Sequence, residues 1–322
     1  MHSRSSPSRF SLGTCKLMAI TAFLGAGLAL RTDVSGSDPS TRPASDNIAM
    51  ASRPAPGGGA SPRMLAVAAG AAHSLALRSD GTVWAWGSNF HGQLGQGPDL
   101  SISPPNPVQV RRLTGIKAIA AGGNHCLACG SEGGLFEWGI DVRFDPLAEG
   151  SPSHEPRGFQ GIPERSLAPK KVIALAAGAA HDLALIDDGS VWAWGNNVYG
   201  QLGDKTTMSR FYFERVAGLP KVTAIAAGGA HSLAVDADGN VWAWGNRKYG
   251  QLGLEHSREN YNSEPIRVPG PTGIKAVAAG ASYSLALKSD GTVWELGKPQ
   301  RRLDGSRDGS AGGLERLHGT TA

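Results

Sequence analysis

The 322-residue chain carries 31 Lys and Arg against 27 Asp and Glu, a formal net charge of +4. Residues 1–36 hold four basic side chains and one acidic one, a net +3, so the remainder carries only +1. Phosphate binding needs clustered Lys and Arg, and charges of both signs are interspersed along the rest of the chain, which excludes nucleic acid as a partner class.

In chain order, the first element is a leader. Arg4, Arg9 and Lys16 precede an apolar run at 17–30, followed by Arg31 and small residues near Gly36. The run of 14 residues suits the h-region of a secretory signal and falls short of the ~20 that a spanning helix needs. Residues 1–36 therefore predict export, to a secreted or periplasmic location, with the cytoplasm as the alternative. Membrane contact is expected only through an uncleaved leader. The Leu12-Gly13-Thr14-Cys15 box precedes the apolar run instead of following it, so lipidation of Cys15 is not expected. Residues 37–63 are rich in Ser, Pro, Gly and Ala and read as a disordered tether.

Five copies of one pattern occupy residues 64–297. They read AAGAAHSLALRSDGTVWAWGSNFHGQLG from Ala68, AAGGNHCLACGSEGGLFEWG from Ala120, AAGAAHDLALIDDGSVWAWGNNVYGQLG from Ala176, AAGGAHSLAVDADGNVWAWGNRKYGQLG from Ala226 and AAGASYSLALKSDGTVWELG from Ala278. Equivalent glycines at 70, 122, 178, 228 and 280 set a period of 50 to 56 residues, which means a propeller, a solenoid or an array. The units fall at 64–115, 116–171, 172–220, 221–273 and 274–319, the last with a degenerate end, and 298–322 reads as a mostly disordered tail.

The strand chemistry selects the propeller. Asp80-Gly81 between two alternating runs signals a hairpin with a two-residue type I′ turn. That turn pairs residues whose numbers sum to 161, setting Leu77 opposite Trp84 and Leu75 opposite Trp86 on one bulky face, with Ala76, Val83 and Ala85 on the other. The same arithmetic pairs Leu185 with Trp192, Leu183 with Trp194, Val235 with Trp242 and Leu233 with Trp244. A first strand at 67–69 and a fourth at 107–110, 213–216 or 265–268 complete an all-β blade of four antiparallel strands. All eight tryptophans, including the structural set Trp84, Trp86, Trp192, Trp194, Trp242 and Trp244, lie on third strands, where each buried large side chain contributes roughly 1.5–3 kcal/mol.

The units H-S-L-A-L-x-x-D-G-x-V-W-A-W-G and Y-G-Q-L-G resemble the repeat of the regulator of chromosome condensation family. The resemblance implies a β-propeller, usually of seven blades. Seven units of this period would take roughly 360 residues, and 259 follow residue 63, so five blades are expected, as an open arc or an incomplete ring. Residues 313–319 imitate 264–270 and predict a fourth strand for the last unit. Function follows only loosely from this fold, since related propellers serve nucleotide exchange on a small GTPase, β-lactamase inhibition or other surface interactions. The reading is an exported, non-enzymatic module that binds an unidentified protein partner. A regulator of a small GTPase acting like an exchange factor is the alternative, and a cell-wall enzyme the second alternative.

Candidate chemistry is sparse. His73, His125, His181 and His231 recur once per unit, and the register of the hairpin places His73 opposite Ser88, His181 opposite Asn196 and His231 opposite Asn246, so each reads as a structural cross-strand hydrogen-bonding residue. Tyr283 in the fifth copy argues against a shared metal. Cys126 and Cys129, three apart on a strand, point to opposite faces roughly 10 Å apart and form neither a bridge nor a zinc site. Asp80, Asp188, Asp238 and Asp290 recur because the turns need them. No catalytic, cofactor or metal residue is expected. Residues that depart from the repeat lie at 141–165, at Arg210-Phe211-Tyr212 and at 255–261, and Arg210, Phe211 and Tyr212 are the candidate protein-binding set, since aromatic and arginine side chains are the usual anchors of interfaces.

Overall fold

The computed structural model describes residues 62–97, 99, 103–140, 160–166, 171–254, 259–296 and 314–321. The expected leader, nearly all of the tether and parts of the divergent loops, at 141–159 and 255–258, lie outside the described residues. Twenty strands form five four-stranded antiparallel sheets, each a meander in chain order. Blade 1 holds β1 (Met64–Ala69), β2 (His73–Arg78), β3 (Val83–Gly87) and β4 (Val108–Gln109). Blade 2 holds β5 (Ile116–Ala121), β6 (His125–Gly130), β7 (Leu135–Gly139) and β8 (Gln160–Ser166). Blade 3 holds β9 (Val172–Ala177), β10 (His181–Ile186), β11 (Val191–Gly195) and β12 (Arg210–Arg215). Blade 4 holds β13 (Val222–Ala227), β14 (His231–Asp236), β15 (Val241–Asn246) and β16 (Tyr261–Arg267). Blade 5 holds β17 (Ile274–Ala279), β18 (Ser284–Lys288), β19 (Thr292–Leu296) and β20 (Leu314–Thr321). The architecture is the expected all-β propeller of five blades. One segment differs from the sequence reading, since β8 forms within the divergent loop of the second unit, whereas β20 forms where residues 313–319 predict the fourth strand of the last unit, inside a tail otherwise expected to be mostly disordered.

The hairpin register also differs, by one residue. Arg78 N–H donates to Thr82 O (2.9 Å) and Gly81 N–H donates to Arg78 O (3.0 Å), so the loop is Ser79-Asp80-Gly81, and Gly81 alone of the three has a positive φ (78°). This is a three-residue loop, a type I turn closed by a glycine bulge, not the two-residue type I′ turn. Asp80 caps it from inside: its Oδ1 accepts from Thr82 N–H (3.0 Å) and Thr82 Oγ1 (2.6 Å). Paired numbers therefore sum to 160: Leu77 faces Val83, Leu75 faces Ala85, Ala76 faces Trp84 and Ser74 faces Trp86. Blades 3 and 4 repeat the shift, with Trp192 opposite Ala184 and Trp242 opposite Ala234. A slip of one residue exchanges the two faces of one strand relative to the other. Leu and Val therefore share one face of each blade, and Trp shares the other with Ala and Ser.

Those faces make the core. The Leu-Val face of blade 1 packs on the face of blade 2 that carries Ile119, Ala128 and Trp138, and equivalent clusters join blade 2 to 3, 3 to 4 and 4 to 5. Among the described residues no comparable packing joins blade 5 to blade 1. Inner strands also meet through backbone, with Ala71 N–H donating to Gly123 O (3.2 Å) and Gly229 N–H to Gly280 O (3.1 Å). The approach is close enough that a Cβ on Gly228 would sit 2.5 Å from Gly280 O and against the His231 ring. Gly228→Ala is therefore expected to cost about 3 kcal/mol by overpacking a junction whose backbone cannot retreat. Gly218→Ala, at φ 77° with open space around the site, is expected to cost only about 1–2 kcal/mol of backbone strain. Urea unfolding of the two variants beside the parent chain measures the difference.

Candidate functional site

In every blade the turn between the first and second strands and the connection between the third and fourth emerge at the same end; the Asp-Gly hairpins lie at the other. We call the former the loop face. Its recurring element is the Gly-Gln-Leu-Gly turn. In blade 3, Asn197 Oδ1 accepts from Leu202 N–H (2.9 Å) and Gln201 Oε1 accepts from Tyr199 N–H (2.9 Å). Leu202 is thereby driven into the core while Val198 and Tyr199 are held outward.

Beneath this face runs a hydrogen-bonded chain that crosses from blade to blade. His231 Nε2 lies 2.8 Å from Ser284 Oγ of the next blade, His181 Nε2 lies 3.0 Å from Ser232 Oγ, and His73 Nε2 lies 3.1 Å from Cys126 Sγ. Ser284 Oγ donates onward to Gln251 O (2.9 Å) and Ser232 Oγ to Gln201 O (2.8 Å), which leaves the imidazole N–H to donate to each hydroxyl. Gln201 O also accepts from Trp244 Nε1 (2.8 Å), as Gln93 O does from Trp138 Nε1 (2.8 Å). The expected cross-strand partners are corrected: His73, His181 and His231 stand opposite Gly87, Gly195 and Gly245, which offer no side chain, and the rings reach across the junction instead.

The junction between blades 2 and 3 departs from this scheme. Blade 2 has no Gly-Gln-Leu-Gly turn, and Asp182 stands where the other blades carry Ser or Cys. Asp182 Oδ1 accepts from His125 Nε2 at 2.8 Å, with both residues buried. A carboxylate has no proton to place, so it replaces a hydroxyl at the junction whose sequence lacks the Gly-Gln-Leu-Gly turn that supplies the acceptor carbonyl in the other blades. Asp182 Oδ2 and Trp194 Nε1, the two groups nearest the missing turn in the repeat register, are buried and have no hydrogen-bond partner among the described residues.

The candidate set Arg210, Phe211 and Tyr212 opens β12 at the rim of the loop face. Arg210 is an anchor: its Nε donates to Asp204 Oδ2 (2.8 Å), and Asp204 Oδ1 also accepts from Thr206 Oγ1 (2.7 Å) and Asn197 Nδ2 (3.0 Å). Burial raises the Asp204 carboxyl, but these donors outweigh it and hold it below the usual carboxylate range. Phe211 is half-buried, and Tyr212 is 76% exposed. The sequence reading missed Phe90, Tyr199 and Tyr249, all exposed on the loop face. The signal was present, because the two residues before each Gly-Gln-Leu-Gly turn change from copy to copy: Phe90-His91, Val198-Tyr199, Lys248-Tyr249.

Among the described residues no group of three or more His, Cys, Asp or Glu side chains could hold a metal ion. Cys126 and Cys129 are free, buried and directed into two different interblade cores, and burial pushes the Cys126 thiol well up and Cys129 to about 11, so neither is a thiolate at neutral pH.

The RCC1-like domain family matches residues 34–309. The chain belongs to that family. This RCC1-like propeller is 36% identical over 149 residues to the human (Homo sapiens) E3 ubiquitin-protein ligase HERC2, a match that covers 45% of the chain and 3% of HERC2. It is 33% identical over 159 residues to the ultraviolet-B receptor UVR8 of Arabidopsis thaliana, covering 48% of the chain and 34% of the receptor. Only a minority of either relative's length is therefore represented. Yeast RCC1 (Prp20), solved bound to Kap60, superposes with a TM-score of 0.66 at 27% identity, over 80% of this chain and 64% of that one. Human WBSCR16, at 24% identity and a TM-score of 0.65, shares the fold.

The buried rings give the propeller a pH dependence. Burial pulls His73 and His231 down to about 4 and His181 to about 3 from an ordinary 6.5. Their stabilising contribution is complete above about pH 6.5 and is lost as pH falls towards about 4, because the unfolded chain binds protons that the folded one refuses. His231→Ala is expected to cost about 1–3 kcal/mol at neutral pH. It is also expected to flatten the fall of stability with acid by up to one proton, about 1.4 kcal/mol per pH unit. Urea unfolding across that pH range measures both effects.

Proposed function

We propose that this chain is an exported, non-enzymatic propeller whose loop face binds a protein partner. The observation that carries the reading is the gathering of exposed apolar side chains on that face and its rim: Phe90, Val198, Tyr199, Met208, Tyr212 and Tyr249. Aromatic side chains held on rigid turns are strong interface anchors because little conformational freedom is lost when they dock. Arg210, Phe211 and Tyr212 form one edge of the surface, with Arg210 fixing the loop and Tyr212 offering its ring. Protein binding also agrees with the relatives, since Prp20p of Saccharomyces cerevisiae has been characterised for binding Gsp1p and histones. Export rests on the basic and apolar pattern of residues 1–36. The alternative, an exchange-factor-like regulator of a small GTPase, draws support from the likeness to Prp20p.

Affinity capture on the purified chain, followed by identification of the retained protein and measurement of its dissociation constant, tests the proposal. Tyr212→Ala is expected to leave the urea midpoint unchanged and to weaken that partner at least about tenfold, about 1.4 kcal/mol. Undiminished binding by the folded triple variant Arg210→Ala, Phe211→Ala, Tyr212→Ala would remove this edge from the interface. Retention of a small GTPase whose nucleotide release accelerates would establish the alternative. Fractionation of cells expressing the chain with a C-terminal epitope is expected to recover it outside the cytoplasm; recovery solely inside would overturn export.

A further inference from the structure

The four junctions inside the chain are four copies of one interface. At each, the Leu-Val face of one blade meets the next blade's face of aliphatic first strand, small second strand and aromatic third strand. Among the described residues, two faces lack that cover. On blade 1, Val67 is 63% exposed where its equivalent Ile119 is 1%, and Trp86 is half-buried where Trp138, Trp194 and Trp244 are fully enclosed. On blade 5, Leu285, Leu287 and Val293 are half-buried where Leu233, Val235 and Val241 of blade 4 are enclosed.

The two uncovered faces are the two opposite halves of the repeated interface. We propose that blade 5 of one copy docks on blade 1 of a second copy and forms there a fifth junction of the same kind. A second copy is the occupant because the chain itself shows what covers each face: a Leu-Val face is enclosed by a tryptophan-bearing face at all four internal junctions, and never by another Leu-Val face. The polar positions agree. Tyr283, 44% exposed, stands where His231 stands, and Ser74 stands where Ser284 stands, so a phenol and a hydroxyl replace the imidazole and hydroxyl of an internal junction. Glu295 occupies an alanine position on the Leu-Val face, but blade 2 carries Glu137 at the same position and is nonetheless covered by blade 3. Because the contact joins two different surfaces, each assembly keeps one free face of each kind at its ends, and its size grows with concentration unless the chain of copies closes on itself.

The test is sedimentation of the purified full chain over a wide concentration range, with circular dichroism to verify folding. The parent chain is expected to gain mass as concentration rises. Val67→Asp and Leu287→Asp are each expected to weaken self-association at least about tenfold, about 1.4 kcal/mol. An equimolar mixture of the two is expected to form a one-to-one pair, since the first retains an intact blade 5 face and the second an intact blade 1 face. If Leu287→Asp fails to fold, Tyr283→Glu at the more exposed rim of the same face takes its place. A parent chain that stays monomeric throughout overturns the proposal. So does self-association that survives either substitution, which would mean a symmetric contact through one face alone, and so does a mixture that fails to pair.

Discussion

The approach of neighbouring inner strands is the constraint on which the rest of this propeller depends. A four-stranded sheet of this composition cannot bury both faces alone, so each blade is stable only against its neighbour, as in other repeat architectures. The strands come within backbone hydrogen-bonding distance at Gly123, Gly178, Gly228 and Gly280, a proximity that leaves no room for a side chain at the recurring glycine. The histidine ring fills the space beside that glycine and sends its N–H into the next blade. Packing and polar satisfaction are thus set by one short motif, glycine followed three residues later by histidine.

Because that motif is repeated, a change in one of its parts is answered elsewhere. The junction between blades 2 and 3 has lost the turn whose carbonyl would accept from Asp182's position and from Trp194, and it is the junction at which a hydroxyl has given way to a carboxylate. A serine there would lack the glutamine carbonyl that accepts from Ser232 and Ser284 in the later blades, whereas Asp182 accepts from His125 and has no proton to place. The scaffold is otherwise uniform, which shifts individuality to the third-to-fourth connections. These connections differ in sequence at the residues that the Gly-Gln-Leu-Gly turn holds outward, and they carry most of the exposed aromatic side chains.

The misplaced hairpin register shows where a sequence pattern runs out. Asp-Gly suits both a two-residue type I′ turn and a three-residue loop that ends in a left-handed glycine, and the two differ by one residue. The hydroxyl residue after the glycine was the available clue: Thr82, Ser190 and Thr292 each donate through N–H and Oγ to the preceding aspartate, a capping that holds the aspartate in a right-handed conformation. The position of Trp relative to Leu follows from that choice. The histidine partners were misread for the same reason, since the correct register sets each ring opposite a glycine.

Fold class, blade number, strand order within a blade and the location of every tryptophan on a third strand were legible in the sequence, because they arise from local periodicity repeated at a fixed interval. The variable positions that form the candidate surface were legible in part, at Arg210, Phe211 and Tyr212 and in the residues before each Gly-Gln-Leu-Gly turn. What only the tertiary structure decided is what each face meets. The bonds from His73, His125, His181 and His231 reach residues 51 to 57 positions away. β8 also pairs within a stretch that carries no repeat signal. Such contacts depend on how far one blade rotates against the next, which is settled by the packing of whole faces and is written in no single segment of chain.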